Sequence, residues 1–445
     1  MRGPLPLLLG LSFAALVPAT AAAAPLLLIS IDGLRPADVL DADRRGLKIP
    51  VLRRFVAEGA YARGVVGVLP TLTYPSHTTL ITGVSPARHG VVNNLTFDPT
   101  GINQTGWYWY AEDIRVPTLW TAAKRAGLST ANVHWPVSVG AAIDHNLPQI
   151  WRTGHEDDRK LLRVLSSPGL LDRLEREAGR YAQGIDETVA GDANRTAFAV
   201  RMIADYKPGF TTVYLAGLDH VEHEHGPGSA EAHAALEAID GMVGTLVKAA
   251  TAADPDTISA VVSDHGFASV ERDVNLFKAF TEAGLITIDG GKVKSWEAMP
   301  WFAGGSAAVV LARREDSALR AKVAALLARL RADPALGIAE LFDHTGIAER
   351  GGGGEADFWI GFKPGTEAGR KSDAPLVAPA ASKGMHGYDP ALPEMRSTFL
   401  ILGRGLPWKG DLGEIDMRRI APTLAKLMGA DLPSAELPPI GSPAR

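Results

Sequence analysis

The sequence predicts an α/β fold with a mostly parallel central sheet and helices on both faces. Four short apolar runs lack the polar alternation of a half-exposed strand, which is typical of strands buried on both faces. These runs lie at residues 25–31, 211–216, 257–263 and 397–402. Helical patterns lie between and after them, at residues 117–126, 230–250 and 417–428. Such alternation is the pattern of α/β proteins, whose ligands bind beyond the carboxyl ends of the strands.

The first three apolar runs each end at or shortly before an aspartate. Asp32 follows the first run, Asp219 the second and Asp264 the third. Because parallel strands end at the same edge of a sheet, we expect these three carboxylates to converge although they lie far apart in the sequence.

Residues 267–383 are less regular and are predicted to form a small insertion or cap on this core. They contain a candidate hairpin, LITIDGGKVKSW, a helix with alternating charges, REDSALRAKVAALLARLRA, and a glycine run, ERGGGGEAD. We expect residues 25–445 to form a single domain that carries this insertion.

Composition excludes several functional classes. The 445 residues carry a net charge of -5, so electrostatic binding of nucleic acid is disfavoured. The chain has no cysteine, which excludes disulfides, thiolate metal sites and a cysteine nucleophile. Any metal must therefore be held by histidine, aspartate and glutamate.

The first 24 residues have the pattern of a secretory signal peptide. An early Arg2 precedes an apolar run at residues 5–17 and a tail of small residues, with cleavage expected near residues 22–24. The run contains Pro6 and is shorter than the roughly 20 residues of a membrane span, so no stable transmembrane anchor is expected. An exported chain without cysteine suggests a bacterial periplasm or the exterior.

Three segments supply candidate metal ligands. In GLDHVEHEHGP, Asp219 and His223 share a helix face at i and i+4, although a solvated polar turn is the alternative and His220 and His225 are further candidates. VVSDHGF supplies Asp264 and His265, for which a buried structural pair is the alternative to metal binding, and KGMHGYDP supplies His386. With Asp32, these residues exceed the ligands of one tetrahedral ion. The sequence therefore predicts two metal ions, an arrangement that supports phosphoryl transfer with ions about 4 Å apart.

The stretch LPTLTYPSHTTLITG, residues 69–83, supplies candidate nucleophiles. Two metals lower the pKa of a coordinated hydroxyl, and a helix N-terminus binds phosphate. Pro75 is typical of a first helical turn, which predicts a short helix that ends at Gly83 with Thr73 as its N-cap. Spacing alone leaves the choice between Thr71, Thr73 and Ser76 open.

The longer run PTLTYPSHTTLITGVSPARHGVVNN resembles the nucleophile motif of the nucleotide pyrophosphatase/phosphodiesterase family, in the alkaline phosphatase superfamily. The metal motifs SIDGLRP, LDHVEH, SDHG and MHGY follow in the family's order, and RRIAPTLAKLMG extends the resemblance over nearly the whole mature chain. The resemblance implies an alkaline-phosphatase-like catalytic domain with a mostly parallel sheet, helices on both faces and a small inserted cap.

The same resemblance implies roles for individual residues. Thr73 is the implied nucleophile, which forms a phosphothreonine that water then hydrolyses, and Asn94 holds a non-bridging phosphate oxygen. Two zinc ions per chain are implied, one held by Asp219, His223 and His386 and the other by Asp32, Thr73, Asp264 and His265. The same ligand types also accept manganese or iron.

The implied reaction is hydrolysis of a nucleotide phosphodiester or pyrophosphate bond to a nucleoside 5'-monophosphate. The rings of Tyr74 and Tyr214 are expected to sandwich the base. A choline phosphodiester, such as glycerophosphocholine or a lysophospholipid, is the alternative substrate, and a phosphomonoester is a third. A non-catalytic binding protein on the same scaffold is the alternative of another class. The expected partner is a small molecule, with no specific nucleic acid and no protein partner predicted.

Overall fold

The computed structural model describes residues 23–103, 106–371 and 373–441. Its largest sheet has eight strands, in the spatial order Gly410–Asp411, Ala60–Tyr61, Phe399–Leu402, Ile258–Val262, Leu26–Ile31, Phe210–Leu215, Thr130–Val133 and His145–Leu147. The strands from Ile258–Val262 to His145–Leu147 are all parallel. The Phe399–Leu402 strand runs antiparallel to both of its neighbours. The predicted mostly parallel sheet is therefore confirmed.

Helices cover both faces of this sheet because side chains alternate in direction along each strand. From the central strand, Ile29 packs on one face and Leu28 on the other. The helices that cover the first face include Pro50–Glu58, Val189–Tyr206 and Ala230–Ala253, and those on the second include Thr73–Thr82, Leu119–Arg125 and Ile420–Leu427.

The predicted helices form, with shifted ends. The segment at 117–126 is helical over Leu119–Arg125, because the Thr118 side chain accepts a hydrogen bond from Thr121 N and caps the helix there. The segment at 417–428 begins with a 3-10 turn, Met417–Arg419, before Ile420–Leu427. The other described α-helices are Pro36–Leu40, Ala42–Arg45, Pro86–His89, Asp157–Leu165, Leu170–Ala178, Gly217–His225, Leu276–Glu282, Ser317–Ala332 and His344–Glu349.

Smaller sheets form in and around the predicted cap. One sheet is antiparallel, with its strands in the order Ala298–Phe302, Ser306–Leu311, Phe358–Phe362 and Ile338–Asp343. In another sheet, Ala268–Asn275 pairs with three strands, Gly365–Gly369, Val377–Pro379 and Gly384–Met385. The predicted hairpin forms from Ile286–Asp289 and Lys292–Trp296, and Glu414–Asp416 pairs with Gly64–Val66. The predicted charged helix is Ser317–Ala332, capped by Asp316. The boundaries of the domain and of the cap stay a prediction.

The predicted signal peptide falls almost entirely on residues 1–22, which lie outside the described residues. Within the described ranges, no helix is both long enough and apolar enough to span a membrane.

A buried carboxylate joins two helices on one face of the sheet. Asp240, in the Ala230–Ala253 helix, accepts hydrogen bonds from Val51 N at 3.1 Å and Leu52 N at 2.7 Å. These N–H groups begin the Pro50–Glu58 helix, whose N-cap residue makes no side-chain cap. Because the first N–H groups of a helix have no partner within it, Asp240 caps this helix from its neighbour.

Asp240→Ala should therefore lower the free energy of unfolding by about 2–4 kcal/mol, because it leaves two N–H groups without their partner. Urea unfolding followed by circular dichroism measures this change. Glu237 on the same helix accepts from Lys48 N at 2.9 Å in an exposed contact. Glu237→Ala is the matched control and should cost less than about 1 kcal/mol. Equal losses in the two variants would contradict the capping role.

Candidate active site

Three aspartates meet at the carboxyl edge of the central sheet, as predicted. Asp32 directly follows Leu26–Ile31, and Asp264 follows Ile258–Val262 after one residue. Asp219 lies in the Gly217–His225 helix that follows the Phe210–Leu215 strand. The chain turns after Asp32 because Gly33 adopts a left-handed φ of 72°, and Gly33 N donates to Asp264 Oδ1 at 3.2 Å.

Histidine nitrogens lie against these carboxylates. His265 Nε2 is 3.0 Å from Asp264 Oδ2 and 3.3 Å from Asp32 Oδ1. His223 Nε2 is 3.4 Å from Asp219 Oδ2, and His386 Nε2 is 3.6 Å from Asp219 Oδ1. The structure thus brings together all six predicted side-chain ligands from aspartate and histidine.

Two groups of ligand atoms are compact enough to hold an ion. Within each group the ligand atoms lie within 4.8 Å of one another. The first group is Asp32, Asp264 and His265, and the second is Asp219, His265 and His386. His265 belongs to both groups, and its ring stacks on that of His386 with centroids 3.6 Å apart. His223 adjoins the second group through Asp219. Which ligand serves which ion stays a prediction.

Backbone carbonyls fix the tautomer of each cluster histidine. Nδ1 of His223 lies 2.9 Å from Gly384 O, Nδ1 of His265 lies 3.1 Å from Gly266 O, and Nδ1 of His386 lies 3.0 Å from Thr71 O. A carbonyl only accepts, so each Nδ1 carries the proton and each Nε2 presents a lone pair to the carboxylates. A lone pair facing a carboxylate is unfavourable unless a cation lies between them, so this arrangement fits a metal site.

Burial of the carboxylate oxygens also favours a bound cation at this cluster. Asp32 and Asp264 are 1% and 0% exposed, and Asp32 Oδ1, Asp219 Oδ1 and Asp264 Oδ2 have no hydrogen-bond partner among the described residues. Burial and the neighbouring carboxylates raise the pKa of Asp32 and of Asp219 well above the ordinary range. Burial also opposes ionisation of Asp264, but the charge that His265 and His77 carry when protonated brings its pKa below the ordinary range. Unpartnered buried oxygens beside imidazole lone pairs form a donor set that divalent zinc, manganese or iron fits.

A buried ion pair holds the helix that carries Asp219. Asp192 is fully buried and accepts from Ala216 N at 3.0 Å and Gly217 N at 2.7 Å, and Arg195 Nη1 donates to it at 3.2 Å. Asp192 therefore caps the start of the Gly217–His225 helix from outside. A Cβ at Gly217 would lie 2.8 Å from Asp192 Oδ2, so glycine permits this close approach.

Hydrogen bonds distinguish the clustered hydroxyls of residues 71–79. Thr71, Thr78 and Thr79 donate to backbone carbonyls of Tyr388, Tyr74 and Val84 respectively, and Ser76 is fully buried. The Thr73 hydroxyl instead lies 3.5 Å from His265 Nε2. Of these five hydroxyls, Thr73 is thus the one that contacts the metal-ligand cluster.

The predicted capping role of Thr73 is wrong. The helix is Thr73–Thr82, its N-cap is Leu72, and Thr73 is its first helical residue with no side-chain cap. The reason is that the chain already becomes helical ahead of Pro75, which occupies the third helical position. The predicted end is confirmed, because Gly83 closes the helix in a left-handed conformation with φ of 72°.

Asn94 lies at the same helix start. Its Oδ1 accepts from Tyr74 N at 2.9 Å. That bond orients the amide so that Nδ2, the remaining donor group, is available to a ligand in the neighbouring cavity, which Asn94 lines. This orientation is compatible with the implied contact to a phosphate oxygen.

The expected base-stacking role of Tyr74 and Tyr214 disagrees with the structure. Tyr74 is 1% exposed, donates to Gln149 Oε1 at 2.8 Å and lies beneath Trp107, with ring centroids 5.2 Å apart. Tyr214 is 2% exposed and donates to Asp32 Oδ2. Both rings are core residues because their strand or helix directs them inward, and Tyr214 supports a metal-ligand candidate instead.

A cavity of about 470 Å³ opens beside the cluster. Asn94, His223 and His386 lie on its wall together with Trp107 and Leu72. Its cap-side wall was missed from the sequence and includes Asp273, Phe302, Glu367, Arg370 and Lys371. The aromatic run GWYWY, residues 106–110, was an available signal for Trp107.

His220 and His225 lie outside both compact groups. Their side chains are 41% and 43% exposed, and both face Glu224, with Nε2 to carboxylate distances of 3.6 and 3.8 Å. In this helix, Asp219 and His223 face the cluster and the other two histidines face away from it.

Family comparison agrees with the arrangement of these residues. Residues 26–389 match the family type I phosphodiesterase / nucleotide pyrophosphatase, which covers most of the chain. The chain belongs to this family. The predicted family assignment is therefore confirmed.

Individual relatives in this family are distant in sequence. Human ectonucleotide pyrophosphatase/phosphodiesterase family member 1 is 27% identical over 234 residues, which are 50% of this chain and 21% of that protein. The venom phosphodiesterase of Macrovipera lebetinus is 25% identical over 248 residues, 53% of this chain and 24% of that protein. The matched regions thus span about a quarter or less of these relatives.

Solved structures of the family share the fold. Murine ectonucleotide pyrophosphatase/phosphodiesterase 5, an inactive variant in complex with AMP, has a TM-score of 0.66 at 21% identity, covering 94% of this chain and 97% of that chain. The human protein of the same name gives the same TM-score at 19% identity. Together with the sheet described above, this likeness confirms the predicted alkaline-phosphatase-like α/β core.

Zinc should stabilise this protein against unfolding, because a cation relieves the repulsion among the clustered carboxylates. At free zinc about 100-fold above Kd, the expected gain in unfolding free energy is about 2.7 kcal/mol. Thermal unfolding in chelator and in zinc measures it.

Two variants test whether the gain from zinc arises at the predicted ligand cluster. Asp264→Asn should shrink the gain, whereas Asp158→Asn, at a buried carboxylate that binds backbone N–H groups of residues 152–154, should keep it. An equal gain in both variants would contradict the metal assignment, as would no gain in the unaltered protein.

Proposed function

We propose that this protein is a metal-dependent phosphodiesterase that hydrolyses nucleotide phosphodiester or pyrophosphate bonds and releases a nucleoside 5'-monophosphate. The observation that carries this proposal is the position of Thr73. It is the first residue of a helix, and its hydroxyl lies 3.5 Å from His265 Nε2. His265 in turn adjoins Asp32 and Asp264. Membership of the family supports the reaction class, and the AMP bound to the murine relative supports a nucleoside monophosphate product.

Thr73 acts as the nucleophile in this proposal. Its Oγ1 gives up its proton to solvent and attacks phosphorus in line. The bond to the leaving alcohol or phosphate breaks, the alcohol takes up a proton from solvent, and a phosphothreonine remains. Water then attacks the phosphorus, the bond to Oγ1 breaks and the hydroxyl regains its proton. Asn94 Nδ2 donates to a non-bridging oxygen, and the positive end of the Thr73–Thr82 helix favours the anionic phosphate.

Two divalent ions, which we propose to be zinc, complete the site. The proposed holders are Asp219, His223 and His386 for one ion and Asp32, Thr73, Asp264 and His265 for the other. When bound, such ions supply Lewis-acid stabilisation of developing charge and lower the pKa of an adjacent hydroxyl. Tyr214 donates to Asp32 and so orients one carboxylate of this set.

Trp107 replaces Tyr74 as the aromatic surface offered to a base. Trp107 is half-buried and lines the cavity, while the Tyr74 ring lies behind it. Trp107 also stacks near Trp109, with centroids 5.7 Å apart, which fixes its orientation. Base stacking on such a ring tolerates different bases.

One observation favours the choline alternative. Asp273 and Glu367 are paired on adjacent strands, each is 8% exposed, and both line the cavity with Trp107 and Phe302. Carboxylates beside aromatic faces suit a quaternary ammonium group. Burial, with the neighbouring Asp273, raises the pKa of Glu367 to about 8, which reduces the negative charge of the pair at neutral pH.

Export to the bacterial periplasm or exterior is also proposed, because residues 1–24 have the signal-peptide pattern. A small-molecule diester is the proposed substrate. Mass spectrometry of the mature N-terminus from the native host tests the export proposal, and an intact Met1 in the mature protein would contradict it.

Thr73→Ala should reduce kcat at least about a thousandfold on a nucleotide p-nitrophenyl ester, because the nucleophile is absent. The metal content, measured by mass spectrometry, should remain above one ion per chain. Thr82→Val on the same helix is the control, because Thr82 Oγ1 only donates to Thr78 O at 2.7 Å. Full activity in Thr73→Ala would refute the nucleophile assignment.

Asn94→Ala should lower kcat by about a hundredfold to a thousandfold, because one donor to the transition-state oxygens is lost. Steady-state kinetics measure it, with Asn93→Ala as the comparison. Asn93 Nδ2 donates to Phe302 O and Asn93 Oδ1 accepts from Leu95 N, so its amide supports the loop. The phosphate-contact role is contradicted if Asn94→Ala keeps the kcat of the unaltered protein.

Substrate choice can be tested directly. The p-nitrophenyl ester of a nucleoside 5'-monophosphate should be hydrolysed with a kcat/KM at least about tenfold above that of p-nitrophenyl phosphorylcholine, because base stacking contributes about 1–3 kcal/mol. The reverse preference would support a choline phosphodiester as the substrate. No hydrolysis of either ester by zinc-loaded protein would support a non-catalytic binding protein.

A further inference from the structure

A second, smaller cavity of about 160 Å³ adjoins the catalytic cavity on the cap side. The two cavities share Leu95, Phe302 and Arg370 in their walls, so they lie side by side. We call the smaller cavity the annex. We propose that the annex is a substrate subsite that takes one compact apolar group, such as a single uncharged aromatic ring, attached to the phosphoester. This inference rests on the proposed function.

The annex has an apolar, aromatic lining. Beyond the shared residues, it is lined by Phe97, Phe277, Met299 and Trp301 among others. Trp301 lies against Phe97 with ring centroids 5.4 Å apart, and its Nε1 donates to Leu95 O at 3.1 Å. Because this indole N–H is already satisfied, the ring offers an apolar surface to an occupant.

The one carboxylate in the annex wall, that of Asp98, is hydrogen-bonded to backbone N–H groups. Asp98 Oδ1 accepts from Ile102 N at 3.0 Å, and Asp98 Oδ2 accepts from Asn103 N at 2.6 Å. Each carboxylate oxygen therefore has a backbone partner within its own loop. Arg370 balances this single carboxylate in the annex wall, so the annex favours an uncharged group over a cation, unlike the catalytic cavity, which contains Asp273 and Glu367.

Arg370 lies at the junction of the two cavities. Its guanidinium carbon is 5.4 Å from the centroid of the Phe302 ring, and it forms no salt bridge with any residue that the structure describes. A guanidinium donates to phosphate oxygens, whereas the ring beneath it contacts apolar groups. The junction therefore suits a molecule that is anionic at phosphorus and apolar beyond it.

The size of the annex sets the class of occupant. An apolar cavity of about 150 Å³ holds one benzene molecule, so the annex has room for a single six-membered ring. Burying such a ring should tighten binding by about tenfold to hundredfold.

A series of inhibitors tests the annex without the complication of leaving-group reactivity. Methylphosphonate and phenylalkylphosphonates with one to four methylene groups are assayed as competitive inhibitors of the zinc-loaded full chain, against a nucleotide p-nitrophenyl ester. We expect one linker length to bind about tenfold or more tighter than methylphosphonate. Equal inhibition constants across the whole series would overturn the proposal.

Variants then assign the gain to the annex. Phe277 lines the annex but not the catalytic cavity. Phe277→Ala should remove most of the gain from the phenyl group, and Phe277→Leu, which keeps more of the packing, should remove part of it. Phe342→Ala is the matched control in the cap, because Phe342 packs under Arg350 and lines neither cavity. A phenyl gain that persists in both Phe277 variants would place the ring elsewhere and overturn the proposal.

The outcomes separate this inference from the proposed function. If the unaltered protein hydrolyses no phosphodiester, the proposed function itself fails, whatever the phosphonate inhibitors do. If it hydrolyses the ester but shows no dependence on the phenyl group, only the annex proposal fails.

Discussion

The mutual repulsion of three clustered carboxylates, two buried and one partly buried, is the constraint on which the site depends. Asp32, Asp219 and Asp264 converge at one edge of the sheet, and each has an oxygen without a hydrogen-bond partner in the described structure. Burial and the neighbouring carboxylates raise the pKa of Asp32 and of Asp219, which disfavours ionisation of all three carboxylates together. Divalent ions allow all three to ionise together, and the imidazole lone pairs then gain a partner as well. Metal binding and the stability of this edge of the sheet are consequently linked.

The scaffold supports this unfavourable arrangement with many ordinary hydrogen bonds. Parallel strands bring Asp32 and Asp264 together, the buried Asp192 and Arg195 fix the start of the helix that carries Asp219, and backbone carbonyls orient the histidines. These contacts come from elements that are distant in sequence. The same scaffold places the Thr73 hydroxyl at a helix start, where the N–H groups attract an anion.

Recognition of the rest of the substrate depends on a different part of the chain. The core supplies Asn94 and Trp107 to the catalytic cavity, whereas the cap supplies Phe302, Glu367 and Arg370. The two carboxylates of Asp273 and Glu367 distinguish this cavity from the annex, whose wall is mainly apolar and aromatic apart from Thr96, Asp98 and the shared Arg370.

The sequence by itself determined the class of fold, the strand ends and the residue types of the cluster, because apolar runs and Asp-Gly or Asp-His pairs are local signals. It also determined the family, through motifs that keep their order. Spacing left Thr71, Thr73 and Ser76 open, and the family resemblance implied Thr73. The tertiary structure adds the physical reason, because Thr71 donates to Tyr388 O and Ser76 is fully buried, whereas the Thr73 hydroxyl lies 3.5 Å from His265 Nε2. It also removed Tyr74 and Tyr214 from the substrate surface and revealed the annex. Those outcomes depend on which side chains pack over one another across strands and the cap, and no local pattern in the sequence encodes that packing.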